Sequence, residues 1–308
     1  MELEYERSKL HQPVTAGHSY PSEASELQKY LDDAFKKYEQ TEPVVKAKAL
    51  YAPHIDTTVG LSSYVKAFSA IKHIKPKRVV ILATSHYSGL FGELYDESPF
   101  IVVDKTFAMP NGDISTDKES ISLLKQIASR KNIGVSFQDR AHRIEHSIEL
   151  HLLFLNYIWN HNFKIVPILV GGFDELLYMD DSYRAEQVNE FSKLLKKEFG
   201  DDENTFFLIS GDLSHFGRKF GDDKSAQELL NSVQEFDHKF MHEAVINNAE
   251  GLRSLLKTDF DATRICGFPP LQTFLHTLPN LKGTQLSYDI WDETERESAV
   301  SFGSILYT

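Results

Sequence analysis

Three histidines close three separate apolar, strand-like runs of this 308-residue chain: Tyr51-Ala52-Pro53-His54, Thr84-Ser85-His86 and Gly211-Asp212-Leu213-Ser214-His215. The only cysteine stands in Ile265-Cys266-Gly267. Open α/β sheets build their sites from groups delivered at the carboxyl ends of parallel strands, and imidazole and thiolate are both transition-metal donors. Convergence of these segments on one metal is therefore the first expectation.

Pro53 at its strand exit fixes the backbone and removes a donor that the ladder no longer needs. In the third segment a carboxylate precedes a histidine by three residues, a spacing that places both on one side of a helical turn. Asp212 then either accepts the imidazole proton and orients His215 as a general acid or base, or N-caps a short helix, and both can hold at once. The densest titratable cluster is Arg143-Ile144-Glu145-His146-Ser147-Ile148-Glu149-Leu150-His151. On a helix starting near His146, Glu145 and Glu149 fall one turn apart, while Ile148 and Leu152 mark the buried side. His146 and His151 are five apart and do not share a face as zincin histidines do. The cluster reads as paired carboxylates supporting the same site, or as a solvated first turn whose acids complement the helix dipole. His142 is placed at the lip of that site.

Cys266 is expected in a tight loop immediately before a helix, where the helix N-terminus and a metal would stabilise its thiolate. There it is a soft ligand suited to copper or iron, with a small core thiol as the structural alternative. Two imidazoles and one thiolate leave a position open to water, oxygen or substrate, whereas a structural zinc site closes with four protein ligands.

The elements that must position these groups follow from hydrophobic periodicity. Apolar β-rich runs alternate with segments of helical period, the pattern of crossover units around a largely parallel sheet. Strands are predicted at 44–51, 78–83, 100–103, 163–170, 205–209 and 300–307, and helices at 22–38, 116–129, 147–159, 185–199, 224–246 and 269–278. Ser22 is expected to N-cap the first helix and Gly200-Asp201-Asp202 to stop the fourth. Gly171-Gly172 reads as a turn. No repeat, low-complexity tract or Pro/Gly-rich linker divides the chain, so residues 1–308 are expected to form one α/β domain, a largely parallel mixed sheet flanked by helices.

Composition excludes several classes. Hydrophobic residues make up 41% and charged residues 25%, ordinary for a globular protein. No apolar run approaches the roughly 20 residues that span a bilayer, so membrane insertion is not expected. The start, Met1-Glu2-Leu3-Glu4-Tyr5-Glu6-Arg7, lacks a basic head and apolar stretch, and one cysteine forms no internal disulfide. A cytoplasmic location, with passive access to the nucleus, is the expectation. A net charge of -12 opposes nucleic acid and anionic membranes and leaves small molecules and peptides as partners.

In order and spacing, Ala16-Gly17-His18-Ser19-Tyr20, Ala52-Pro53-His54, Thr84-Ser85-His86, Glu145-His146-Ser147-Ile148-Glu149, Ile165-Val166-Pro167-Ile168-Leu169-Val170-Gly171, Ser210-Gly211-Asp212-Leu213-Ser214-His215-Phe216-Gly217 and Ile265-Cys266-Gly267 resemble the Memo family. That family is named for a role in receptor-driven cell motility. Memo proteins are in turn similar to the class III extradiol ring-cleaving dioxygenases, which use non-haem iron, and this implies the same helix-flanked sheet. The resemblance implies three metal ligands, His54, His86 and Cys266. It implies Asp212 and His215 beside them, His215 as the acid–base histidine, and Glu145, His146 and Glu149 in the surrounding wall, touching substrate or supporting the ligands. The dioxygenases hold iron through two histidines and a carboxylate. A thiolate in the carboxylate's place changes metal preference and redox potential, so ring cleavage is not carried over. Two function classes follow. One is a copper- or iron-dependent oxidoreductase acting on oxygen or a small molecule, linked to cell signalling, motility or invasive growth. The other is a non-enzymatic module that uses the pocket for a phosphotyrosine-type peptide or another signalling partner.

Overall fold

The central strands are apolar at nearly every position, and this sets the architecture seen in the computed structural model, which describes residues 2–39 and 46–308. In chain order the strands are β1 (Leu10–His11), β2 (Ala49–Ala52), β3 (Arg78–Thr84), β4 (Phe100–Val102), β5 (Thr106–Phe107), β6 (Val135–Ser136), β7 (Lys164–Val170), β8 (Thr205–Ser210), β9 (His215–Gly217), β10 (Gly283–Glu293) and β11 (Ser298–Tyr307). Side chains alternate across a strand, so a run without polar positions must be covered on both faces. Val79, Ile81 and Ala83 of β3 and Phe206 and Leu208 of β8 enter one core, whereas Val80, Leu82, Phe207 and Ile209 enter the other. Each Ile, Leu or Phe buried in this way contributes roughly 1.5–3 kcal/mol.

β2, β8, β3 and β7 lie side by side in that order, all parallel. β11 pairs antiparallel with β2 and carries β10 on its outer edge, β4 pairs antiparallel with β7, and β6 lies beyond β4. β9 branches from β11, and β1 and β5 form a separate parallel pair. Helices Ala24–Tyr38, Thr57–Ser69 and Glu149–Ile158 cover the first face. Lys118–Lys131, Tyr183–Leu195, Ala226–Val245 and Phe268–Thr277 cover the second. No helix among the described residues is long and apolar enough to cross a membrane.

The six expected strands and six expected helices are all present, with shifted ends. The first strand is confined to Ala49–Ala52; Val44 and Val45 of the 44–51 expectation lie outside the described residues. The first helix begins at Ala24 with Glu23 at its N-cap position and no side-chain cap, so Ser22 does not cap it. Ser225 does cap the Ala226–Val245 helix, in a reciprocal pair with Glu228. Helices Thr57–Ser69 and Ala249–Lys257 and the long edge strand β10 were not anticipated.

One close backbone contact brings the cysteine loop to the sheet. A Cβ on Gly211, just past β8, would lie 2.2 Å from Gly267 Cα, and one on Gly267 would lie 2.2 Å from the Tyr51 hydroxyl oxygen. Gly267 N–H donates to the Asp212 carbonyl at 3.0 Å across this contact. Only glycine fits on either side, so Gly267→Ala is expected to lower stability by about 1–3 kcal/mol, a shift of several degrees in Tm. Gly89→Ala is the control, because nothing lies within 4 Å of a Cβ there. Equal melting temperatures for the two variants would refute the contact.

Candidate metal centre

His54 follows β2 through Ala52-Pro53 and is 2% exposed. Its Nδ1 lies 3.0 Å from Ser210 Oγ at the end of β8. That hydroxyl gives its one proton to the Ser147 carbonyl at 2.7 Å, so toward His54 it can only accept. Nδ1 therefore carries the hydrogen and Nε2 keeps its lone pair, which faces Cys266 Sγ at 3.4 Å. Burial first, and then the His86 and His146 imidazoles, push the His54 pKa well below its usual value, so the ring is neutral.

His86 is fixed in the same way by a carboxylate. Its Nδ1 donates to Glu145 Oε1 at 2.9 Å, and its backbone N–H donates to Oε2 at 2.8 Å. Glu145 Oε1 also accepts the N–H groups of His146 and Ser147 at 3.0 and 3.1 Å. Burial alone would raise the Glu145 pKa; the hydrogen bond and charge of His86 outweigh it and hold the group below its usual value. Conversely, burial would lower the His86 pKa, but Glu145 raises it. His146 stacks on His86 with ring centres 4.9 Å apart and stands edge-on to His54 at 5.5 Å.

Cys266 is partly buried in the loop before the Phe268–Thr277 helix, held by Thr84 Oγ1, which donates to its carbonyl at 2.7 Å. The Asp212 N–H donates to its sulfur at 3.3 Å. Burial, with the Asp212 carboxylate adding to it, pushes the thiol pKa well above its usual range, so the thiolate needs a cation beside it. His54, His86 and Cys266 each offer one ligand atom within 4.8 Å of the others, the scale bridged by an ion with bonds of about 2.0–2.3 Å. Two Nε2 lone pairs oriented by hydrogen-bonded Nδ1 atoms, plus one sulfur, are a donor set that fits a transition metal. A cavity of about 250 Å³ opens beside them, bounded by Thr84, His86, Phe173, Cys266, Phe268 and Pro269.

The remaining candidates are placed differently from expectation. Asp212 neither N-caps a helix nor bonds directly to His215, because residues 211–214 form an irregular turn and β9 begins at His215. Its Oδ1 accepts the N–H groups of His54 and Ile55 at 3.0 and 3.1 Å, and its Oδ2 lies 3.7 Å from His54 Nε2. Burial raises its pKa to about 7 against those two hydrogen bonds. His215 places Nδ1 on the carbonyls of Leu213 and Arg264 at 3.0 and 3.1 Å. Asp212, His215 and Cys266 still offer ligand atoms within 4.8 Å of one another, so His215 reaches the same centre.

The 145–149 segment is not one helical face. Glu145 is extended and the helix starts only at Glu149, so the two carboxylates point to different places. Fully buried Glu149 accepts from the backbone N–H groups of Val14 and Thr15 and from the hydroxyls of Thr15 and Tyr20. It docks the 14–20 segment and does not line the metal cluster. His142 is buried, with Nε2 on the Ile101 carbonyl at 3.0 Å, and forms no lip. The group missed from the sequence is Ser210, whose hydroxyl selects the His54 tautomer. Its only signal was its place at the end of the β8 run.

The Memo-like protein family model matches residues 11–306. A MEMO1 family protein of Aquifex aeolicus (strain VF5) is 30% identical over 319 residues, covering 99% of this chain and 76% of its own length. Protein MEMO1 of Xenopus tropicalis and that of Mus musculus are 25% and 24% identical, and each comparison covers 94% of both chains. The family match runs through both histidine exits, the Asp212–His215 turn and the Cys266 loop, and the chain belongs to the Memo family.

Proposed function

We propose that this Memo protein holds copper or iron through His54, His86 and Cys266 and serves redox chemistry on oxygen or a small molecule, in the cytoplasm. The observation that carries this reading is the pairing of both ligand imidazoles through Nδ1, with Ser210 and with Glu145, which leaves Nε2 of each as the free nitrogen, that of His54 3.4 Å from the Cys266 sulfur. A thiolate with two imidazoles favours copper or iron over hard cations, and three protein ligands leave room for an exchangeable one. When bound, the metal supplies Lewis acidity and electron transfer.

The protein's own groups supply orientation and proton handling. Glu145 holds His86 through one hydrogen bond from its backbone N–H and one from its ring, and the second keeps Nδ1 protonated. His215 has its pKa lowered to about 4, chiefly by burial, so its ring is neutral; with Nδ1 bonded to the Leu213 and Arg264 carbonyls, Nε2 is the acceptor it would offer to a molecule held beside the metal ligands. Phosphate recognition relies on arginine clusters. Here two carboxylates lie against the ligand histidines, Glu145 on His86 and Asp212 on His54, and Arg264 at the cavity is already bonded to Asp222. A small uncharged or cationic molecule suits such a wall better than a phosphotyrosine-type peptide.

Replacing Cys266 with Ser keeps the size but substitutes a hard, reluctantly ionised donor. Copper or iron retained per chain after dialysis is expected to fall strongly, while the metal-free variant melts within a few degrees of the parent. Metal content equal to the parent's would remove Cys266 from the site.

Asp212 gives a pH test on metal-free protein. Its folded pKa of about 7 lies above the ordinary 3.8, so between those values the native state holds a proton that the unfolded chain has lost. Stability must then fall as pH rises through that window. Asp212→Asn removes the titration and keeps an acceptor for the His54 and Ile55 N–H groups. It should therefore gain on the parent at pH 8 relative to pH 5 in chemical unfolding. The same difference between the two proteins at both pH values would contradict a buried, proton-holding Asp212.

A further inference from the structure

Cys266 arrives at the end of a loop whose backbone is strained. Phe260, Asp261 and Arg264 have φ of 57°, 53° and 58°, in the left-handed region that disfavours side chains with a Cβ. At Arg264 a glycine would take this geometry freely. The arginine side chain is instead engaged: Nη1 donates to the His215 carbonyl at 3.1 Å and to Asp222 Oδ2 at 3.3 Å, and Nη2 donates to Asp222 Oδ1 at 2.8 Å. Asp222 Oδ2 also accepts the Gly217 N–H at 2.8 Å, which ties the carboxylate to β9.

The left-handed turn serves the backbone too. It carries the Arg264 carbonyl to His215 Nδ1 at 3.1 Å, while the His215 N–H donates to the Thr263 carbonyl at 2.7 Å. The loop therefore meets the His215–Asp222 segment through backbone and side chain together, two residues before Cys266. An exposed ion pair alone contributes little, but an arginine that bonds both oxygens of one carboxylate fixes geometry as well as charge.

Resting on the metal-site reading above, we propose that Arg264 and Asp222 form a clamp that positions the Cys266 ligand and the His215 ring relative to each other. Neither residue touches the ligand atoms; both act through the loop. Released from the clamp, the strained turn relaxes and Cys266 withdraws from His54.

Cys266 is the only cysteine in the chain, so its alkylation reports this loop alone. The rate of reaction with iodoacetamide would be measured on metal-free Arg264→Ala, Arg264→Lys and Asp222→Asn variants and on the parent; alanine keeps the Cβ, and so the strain at φ 58°, while it removes the guanidinium. Rates roughly 5-fold or more above the parent's, the scale of one lost contact, are expected for Arg264→Ala and Asp222→Asn, with Arg264→Lys between. Far-UV circular dichroism should match the parent's. Asp222→Asn leaves the loop backbone and an acceptor for Gly217 N–H in place, so it decides the matter if Arg264→Ala misfolds. Loss of copper(I) to a colorimetric chelator should accelerate in the same order. Alkylation rates equal to the parent's in both Arg264→Ala and Asp222→Asn would overturn the clamp. This arm needs no metal, so it stands apart from the question of whether the parent retains copper or iron.

Discussion

The candidate metal centre depends on where two protons sit. An imidazole offers a metal one nitrogen only when the other carries the hydrogen, and here each Nδ1 hydrogen is claimed by a protein group. For His54 the claim runs through Ser210 to the Ser147 carbonyl, and the Ser147 hydroxyl continues to the Thr84 carbonyl at 2.7 Å. One chain of hydrogen bonds thereby links the ends of β8 and β3 with the turn before the Glu149–Ile158 helix. For His86 the claim is made by Glu145, a buried carboxylate that keeps its charge because four donors surround it. Take away either acceptor and the ring is free to rotate or to change tautomer, and the lone pair facing the sulfur is lost.

The parts of this site visible in the sequence were those encoded by chain position. A polar side chain two residues beyond a largely apolar run is carried to the edge of a parallel sheet, and β2, β3 and β8 do this for His54, His86 and Asp212. Cys266 was legible because Gly267-Phe268-Pro269-Pro270 marks a helix start, and proline is tolerated in the first turn. What stayed hidden depends on partners distant in sequence. Glu149 has the spacing of a second active-site carboxylate, yet its bonds are to Val14, Thr15 and Tyr20, more than 100 residues away. Asp212 satisfies the backbone of His54 and Ile55 and leaves its own helical-turn neighbour His215 to two carbonyls. Spacing rules describe a regular element, and the 145–149 and 211–215 turns are neither helix nor strand until Glu149 and His215.

The misses in the fold have the same origin. Helix Thr57–Ser69 contains Gly60 and several β-branched residues, poor helix formers that tertiary packing overrides: a Cβ at Gly60 would lie 2.4 Å from Ile55. Strand β10 is an open edge with an irregular burial pattern and Asp289 and Asp292 exposed, charges that discourage pairing with another chain. Neither element shows the clean periodicity from which the core strands were read.

This distribution of constraints says how the centre differs from a structural metal site. In a zinc finger the ligands have no fixed arrangement until the ion binds, and folding and binding are one event. Here His54 and His86 are held by Ser210 and Glu145, and the Gly211–Gly267 contact sets the cysteine loop against the sheet, all through protein atoms alone. The chain therefore pays the ordering cost of its imidazoles during folding, and that part of the affinity is built in. Cys266 is the exception, since its thiol is driven toward the protonated state by burial and by Asp212, and its loop carries three left-handed residues. A metal taken up here would have to displace the proton of that thiol, so its capture would be opposed by acid at the sulfur.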